Sequence, residues 1–233
     1  GLLGSLLVGV SFAKGLSIAN NIPLVEVNHL EGHILSHFVD MPDREMSHPD
    51  FPFLCLLVSG GHTQIVKVDA PDKMEIVGTT IDDAAGEAFD KIGRVIGMPY
   101  PAGAAMDKLA YDGDAHAITL PSPALSGDTL DFSFSGLKTA ALNLINQAKQ
   151  KEEEIDRANL AASYTRAIVC GVSKKVGQAL KQTGHKTVVL AGGVAANSHL
   201  RRELEATCKR YGARLVTPPI SLCGDNGAMV AAA

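Results

Sequence analysis

The chain has no tryptophan among its 233 residues, and aromatic side chains make up only 5% of it. A protein so poor in rings has to build its core from aliphatic packing. Its four cysteines, Cys55, Cys170, Cys208 and Cys223, include no pair at C-x-x-C spacing. That excludes the usual zinc-ribbon and disulfide-framework patterns and fits a chain kept reduced in the cytosol. Charge of one sign is also missing. The formal net charge is −4, so no bulk basic field advertises nucleic acid, and any RNA contact has to come from a local patch or a partner. The apolar opening 1–10 lacks a basic leader, and Lys14 interrupts the run that follows. It reads as neither a signal peptide nor a membrane span.

What is present is ordinary for a globular protein: 46% apolar residues and 20% charged. The length allows one large domain or two lobes. Residues 1–20 read as a core helix and Leu24-Val25-Glu26-Val27 as one strand. One helix and one strand cannot cover each other's apolar faces, so the sheet partners of this part read as missing. The Pro-rich, charged stretch 40–52 marks a lobe boundary. Strands follow at 53–58, 63–69 and 75–80. A helix is expected from about Asp83 to Ile96 with Asp83 as its N-cap, and another at 103–111. Residues 112–130 read as an irregular insertion. Ser133 or Ser135 can cap a helix to about Lys151, and a long helix covers about 153–183. Strand 186–191, helix 197–211 and strand 213–217 make a β-α-β unit, and a last helix starts after Cys223. The pattern is α/β with a mixed sheet.

Two strands end abruptly in a glycine pair: Phe53-Leu54-Cys55-Leu56-Leu57-Val58-Ser59-Gly60-Gly61-His62 and Val188-Val189-Leu190-Ala191-Gly192-Gly193-Val194. Without Cβ atoms, backbone N–H groups can approach an anion closely. The second turn also runs toward a helix N-terminus, whose dipole favours negative charge. Two such turns suggest a nucleotide-like ligand between them; the plainer alternative is a pair of tight turns after buried strands.

Other segments carry ligand chemistry. His29-Leu30-Glu31-Gly32-His33 puts two imidazoles at i and i+4, on one helical face, where they can share a metal or stand in solvent. Glu31 falls about 200° around a helix from each histidine, away from such a metal, unlike the glutamate of the H-E-x-x-H proteases. Asp225, between two glycines, is a candidate third ligand or a helix cap. Asp83, Glu87 and Asp90 share a helical face that could meet ribose hydroxyls or simply be solvated, with a Glu87–Lys91 pair. Pro101-Ala102-Gly103 is a turn into a helix. Lys138, after Phe132, Phe134 and Ser135, could meet a phosphate, although a capped helix with core phenylalanines is the simpler reading.

In order, G-L-L-G-S-L-L-V-G, V-N-H-L-E-G-H, L-V-S-G-G-H-T, D-D-A-A-G-E-A-F-D-K, Y-P-A-G, F-S-F-S-G-L-K-T, A-G-G-V-A-A-N and G-D-N-G-A-M run nearly end to end. Together they resemble the universal tRNA threonylcarbamoyladenosine-synthesis family, formerly called O-sialoglycoprotein endopeptidases or glycoproteases. The resemblance implies an α/β fold of the actin-like (ASKHA, ribonuclease H-like) two-lobed type, here without its N-terminal strands. Residues 1–50 would belong to the first lobe, 51–220 to the second, and 221–233 to a helix returning to the first. It implies transfer of a threonylcarbamoyl group from threonylcarbamoyl-AMP to N6 of adenosine 37 in tRNAs reading ANN codons, in the cytoplasm. His29, His33 and Asp225 would hold one divalent metal, iron in many members, with zinc as the alternative. Leu57, Val58, Ser59, Gly60 and Gly61 would form the loop on the ligand, threonylcarbamoyl-AMP or ATP, and Asp90, Gly103, Asp107 and Asn197 would touch it. Expected partners are tRNA, a smaller actin-like homologue and an ATPase, with no membrane. Ala102 departs from the glycine that many members carry. No protein nucleophile stands out, and none is needed for an already activated donor. The rival readings are an ATP phosphotransferase on the same fold, the old metalloprotease assignment, and a non-catalytic scaffold that pairs with a homologue.

Overall fold

A computed structural model describes residues 3–41 and 48–233. Its centre is a strand with no polar side. All six residues of β1 (Phe53–Val58) are buried, as a continuous apolar run requires when both faces of a sheet are covered. β2 (Thr63–Ala70) pairs with β1 antiparallel, and β3 (Lys73–Thr79) pairs with β2 antiparallel. On the other side, β4 (Thr187–Ala191) lies parallel to β1, and β5 (Arg214–Val216) lies parallel to β4. The sheet order is therefore β3-β2-β1-β4-β5.

The period-two geometry of a strand splits the core in two. Leu54, Leu56 and Val58, with Val188 and Leu190, face a large cluster built with helices α3 (Ala85–Val95), α5 (Ser135–Gln150), α6 (Arg157–Thr183) and α7 (Ser198–Arg210). α4 (Gly103–Leu109) joins it through Met106. Phe53, Cys55 and Leu57, with Val66, Val68 and Val189, face a smaller cluster that includes Ile34 of α2 (His29–Leu35). α2 also packs on α8 (Gly227–Ala232). His37, just past α2, donates from Nε2 to Leu190 O at 2.9 Å, and burial pushes its pKa down to about 4. That bond ties the α2 segment to β4.

The elements expected from the sequence are present with small changes at their ends, and 112–130 holds no regular helix or strand. Three expectations need correction. Residues 24–27 form no strand: among the described residues no neighbouring strand offers them hydrogen bonds. The helix at the start forms as α1 (Leu3–Asn20), but none of its residues is buried, so it is not a core helix. Its length and mean hydropathy of 1.3 also meet the composition of a membrane span, a test that helices of soluble proteins pass too. The boundary stretch 40–52 falls partly outside the described residues, at 42–47.

The third correction concerns caps. Asp83 does not cap α3; Thr63 Oγ1 accepts from Ala85 N at 2.9 Å instead. Asp83 pairs with Lys91 at 2.8 Å and Lys138 at 2.5 Å. Neither Ser133 nor Ser135 caps α5. Asp82 does so from 52 residues upstream, its Oδ1 accepting from Phe134 N at 2.7 Å while its Oδ2 takes the Ser133 hydroxyl. Phe132 and Phe134 are fully buried, and Lys138 is spent on Asp83 rather than left for a phosphate. Burial pushes both carboxyls up, yet the hydrogen bonds to Asp82 and the lysines around Asp83 outweigh it and hold both below the usual value.

This linkage predicts an acid-labile joint. A carboxyl with a depressed folded pKa contributes fully above its unfolded value of about 3.9 and less as pH falls through the folded value. Asp82→Ala should lower the unfolding free energy in urea by about 1 kcal/mol at neutral pH. In Asp82→Asn/Asp83→Asn the loss of stability below about pH 4 should shrink. An unchanged acid limb would show that these carboxyls do not hold the joint.

Candidate functional site

The C-terminal ends of β1 and β4, adjacent and parallel, both deliver a glycine turn to one edge of the sheet. Past β1, Ser59 N donates to His62 O at 2.8 Å and His62 N to Ser59 Oγ at 3.1 Å, closing the loop. Gly86 N reaches Ser59 O, where a Cβ on Gly86 would sit 2.5 Å from that oxygen. Past β4, Gly192 has φ +90, and a Cβ there would meet Val58 O at 2.4 Å. Gly192 is therefore needed for the strand ends to approach. Gly193 is different: a Cβ there would meet nothing within 4 Å.

That open space is a cavity of about 360 Å³. Gly60 and Gly193 line it at the sheet edge, Asp90 of α3 and Gly103 and Asp107 of α4 line the helical side, and Asn197 lines it before α7. Five expected ligand contacts thus line one cavity: Gly60, Asp90, Gly103, Asp107 and Asn197. Leu57 and Val58 are wholly buried in β1 and do not line the cavity. Ser59 shapes the loop from behind, and Gly61 lines a neighbouring depression. Phe89, Pro101, Ala104 and Val194 line the cavity as well. Small and apolar residues of this kind carry no chemical signature in a sequence, so only their position reveals them.

The carboxylates here serve structure first. Asp90 Oδ1 accepts from Ala102 N at 2.7 Å and holds the Pro101 turn. Asp107 accepts from Ser198 N at 3.1 Å and from His199 Nδ1 at 2.8 Å. Burial pushes the Asp107 carboxyl up, but His199 and the Ser198 amide outweigh that and keep it ionised. The N-terminus of α7 is consequently occupied by Asp107 and by its own cap Asn197, which accepts from Leu200 N at 2.8 Å. It does not supply the free dipole expected for an anion. Each carboxylate oxygen has more than one acceptor position, so Asp90 and Asp107 retain capacity for ligand hydroxyls.

A second group stands near the loop after β1, close enough for His62 of that loop to act on its His33. Asn28 caps α2 by accepting from Leu30 N and Glu31 N, which starts the helix at His29. One turn on, His33 is buried and His29 is half-exposed; their rings meet edge-on at 4.8 Å. Asp225, just before α8, places Oδ1 3.4 Å from His29 Nε2 and 3.1 Å from His33 Nε2. Burial, the neighbouring His29 and, more weakly, His62 of the glycine loop lower the His33 pKa against the pull of Asp225. A neutral imidazole is the form a metal needs. Two imidazole nitrogens and one carboxylate oxygen, within 4.8 Å of one another, suit a divalent transition metal and leave positions open for a ligand. His33 Nδ1 is buried with no partner among the described residues. Glu31 is exposed and outside this group, an arrangement unlike a protease base beside its metal.

The tRNA N6-adenosine threonylcarbamoyltransferase family matches residues 1–232. A relative of that name from Bordetella petrii is 48% identical over 99% of this chain and 66% of its own length. One from Clostridium botulinum is 46% identical over 100% of this chain and 67% of its own. The chain therefore spans about two thirds of these relatives. Among solved structures, full-length HypF in a phosphate- and nucleotide-bound form aligns with a TM-score of 0.67 at 15% identity. It covers 91% of this chain and 35% of its own, a likeness of fold.

Gly192→Ala should cost about 2 kcal/mol or more in urea unfolding, from φ strain and the Val58 contact. Gly193→Ala should leave stability within about 0.5 kcal/mol while weakening AMP binding by calorimetry. Equal stability losses would contradict the division between a structural and a ligand-facing glycine. Titration with Zn²⁺ or Fe²⁺ should give one bound ion, lost in Asp225→Ala, whose exposed side chain is not needed for folding. Retained stoichiometry in that variant would remove Asp225 from the ligand set.

Proposed function

The chain belongs to the tRNA N6-adenosine threonylcarbamoyltransferase family, and we propose that it performs that transfer, from threonylcarbamoyl-AMP to N6 of adenosine 37 in tRNAs reading ANN codons. The observation that carries the reading is the cavity between the two glycine turns, with carboxylates on one side and the His29/His33/Asp225 group near the loop after β1. The acidic side, Asp90 and Asp107, repels phosphate and accepts from ribose hydroxyls. The nucleoside therefore lies toward α3 and α4, with its phosphate toward the Gly60 and Gly193 backbone. This orientation brings the carbamoyl carbonyl to the loop end of the cavity.

The donor is a mixed carbamic–phosphoric anhydride, so the chemistry is displacement at an activated carbonyl. The adenine amine forms the new C–N bond, the bond from carbonyl carbon to phosphate oxygen breaks, and AMP and a proton leave. Backbone groups of the glycine turns stand where negative charge develops and need no reorganisation there. The apolar wall of Phe89, Pro101 and Val194 keeps water from the anhydride. His29, His33 and Asp225 would hold one divalent metal, iron or zinc, which supplies Lewis-acid polarisation of the donor's oxygens. The acceptor adenosine has to leave its stack to enter.

We read residues 1–50 and 221–233 as parts of one actin-like lobe and 51–220 as the other, a division supported by the packing of α2 on α8. A smaller actin-like homologue and an ATPase are the proposed protein partners, and the cytoplasm the proposed compartment. The deciding assay supplies threonylcarbamoyl-AMP, unmodified tRNA and these partners, and counts labelled threonine in RNA. Asp107→Asn should lower transfer by about tenfold, as expected for one lost charge-assisted contact. His29→Ala/His33→Ala should abolish it. Full transfer by the metal-free double variant would overturn the assignment.

A further inference from the structure

Beside the cavity lies a second depression of about 410 Å³, lined by Gly60, Gly61, Glu87 and Asp90 together with Lys91, Arg94 and Tyr100. Gly60 and Asp90 belong to both walls, so the two spaces adjoin at the glycine loop. Tyr100 is 82% exposed, the most exposed of the four tyrosines. Yet its backbone is anchored, because Asp90 holds Ala102 N two residues on and Pro101 forms part of the cavity wall. The ring contributes no core packing, and an exposed aromatic on a fixed stem offers a flat surface at small entropic cost. Lys91 is shared between Asp83 and Glu87, each at 2.8 Å. Arg94, one turn further along α3 and exposed, makes no ion pair among the described residues.

We propose that this depression seats the acceptor RNA: Tyr100 stacks on an unpaired base next to the one entering the cavity, and Arg94 meets the adjoining backbone phosphate. The inference rests on the transferase reading above. Single-stranded loops are recognised by stacking on aromatic rings, with cations tracking the backbone. Gly60 and Asp90 line both spaces, so a base held on this surface stands next to the cavity. The overall charge of −4 makes such a local cation informative, since no general basic field would draw RNA here.

The test is fluorescence anisotropy of the full chain with a labelled, unmodified anticodon stem-loop, alongside calorimetric AMP binding and the transfer assay. Tyr100→Ala should weaken RNA binding about tenfold. Tyr100→Phe should restore it. Arg94→Ala should weaken it about fivefold and reduce the slope of log affinity against log salt by about 1. AMP affinity should stay the same in all three. RNA affinity unchanged in both Tyr100→Ala and Arg94→Ala overturns the seat and leaves a protein partner as the occupant; so does a parallel loss of AMP binding, or absence of RNA binding by the unmodified chain. Transfer by the unmodified chain, with RNA affinity indifferent to these side chains, removes this proposal alone. Tyr100-dependent RNA binding without transfer removes the transferase reading alone.

Discussion

Six consecutive side chains of β1 are buried, and this forces cover on both faces of the sheet. Everything at the site depends on that cover. One face carries α3 to α7, which bring Asp90, Gly103, Asp107 and Asn197 to the strand ends. The other carries α2, which brings His29 and His33 near the loop after β1. Because β1 and β4 are parallel, their turns emerge side by side, and the missing Cβ of Gly192 lets the second turn close on Val58 O. A substituent there would push apart the two walls that define the cavity.

The polar residues around this edge do double work. Asp82, Asp83, Asp90 and Asp107 each join segments apart in sequence, and the carboxylates of Asp82, Asp83 and Asp107 stay charged because their hydrogen bonds or cations outweigh desolvation. Asp107 occupies the α7 N-terminus, so in the binding mode proposed above the phosphate is left to the glycine turns. The carboxylates and the glycine turns would then orient a nucleotide with no cation among the described residues that line the cavity.

Much of the strand and helix pattern was legible because it is local: apolar runs and amphipathic spacing read directly into β1, α3 and α7. The His29/His33 pair was legible for the same reason, since i and i+4 share a helical face. From its own surroundings in the sequence Asp225 reads only as a candidate, and the family resemblance is what joins it to the two histidines. Its meeting with His33 across 192 residues comes from α8 packing on α2. Caps were misread where a distant group displaced a nearby one, Thr63 for Asp83 and Asp82 for Ser133. The ligand-loop residues Leu57 and Val58 were legible as strand, but their burial away from the cavity was not.

By itself, the sequence determined which residues could bear chemistry: the glycine pairs, the two imidazoles, the scattered carboxylates and the ordered motifs of one family. Tertiary structure decided which of them work together. Local spacing constrains backbone conformation over a turn or a strand, whereas a cavity is closed by long-range burial. Only that packing assigns Gly192 to support and Gly193 to the open space, or sets Tyr100 on an anchored loop beside the cavity it adjoins.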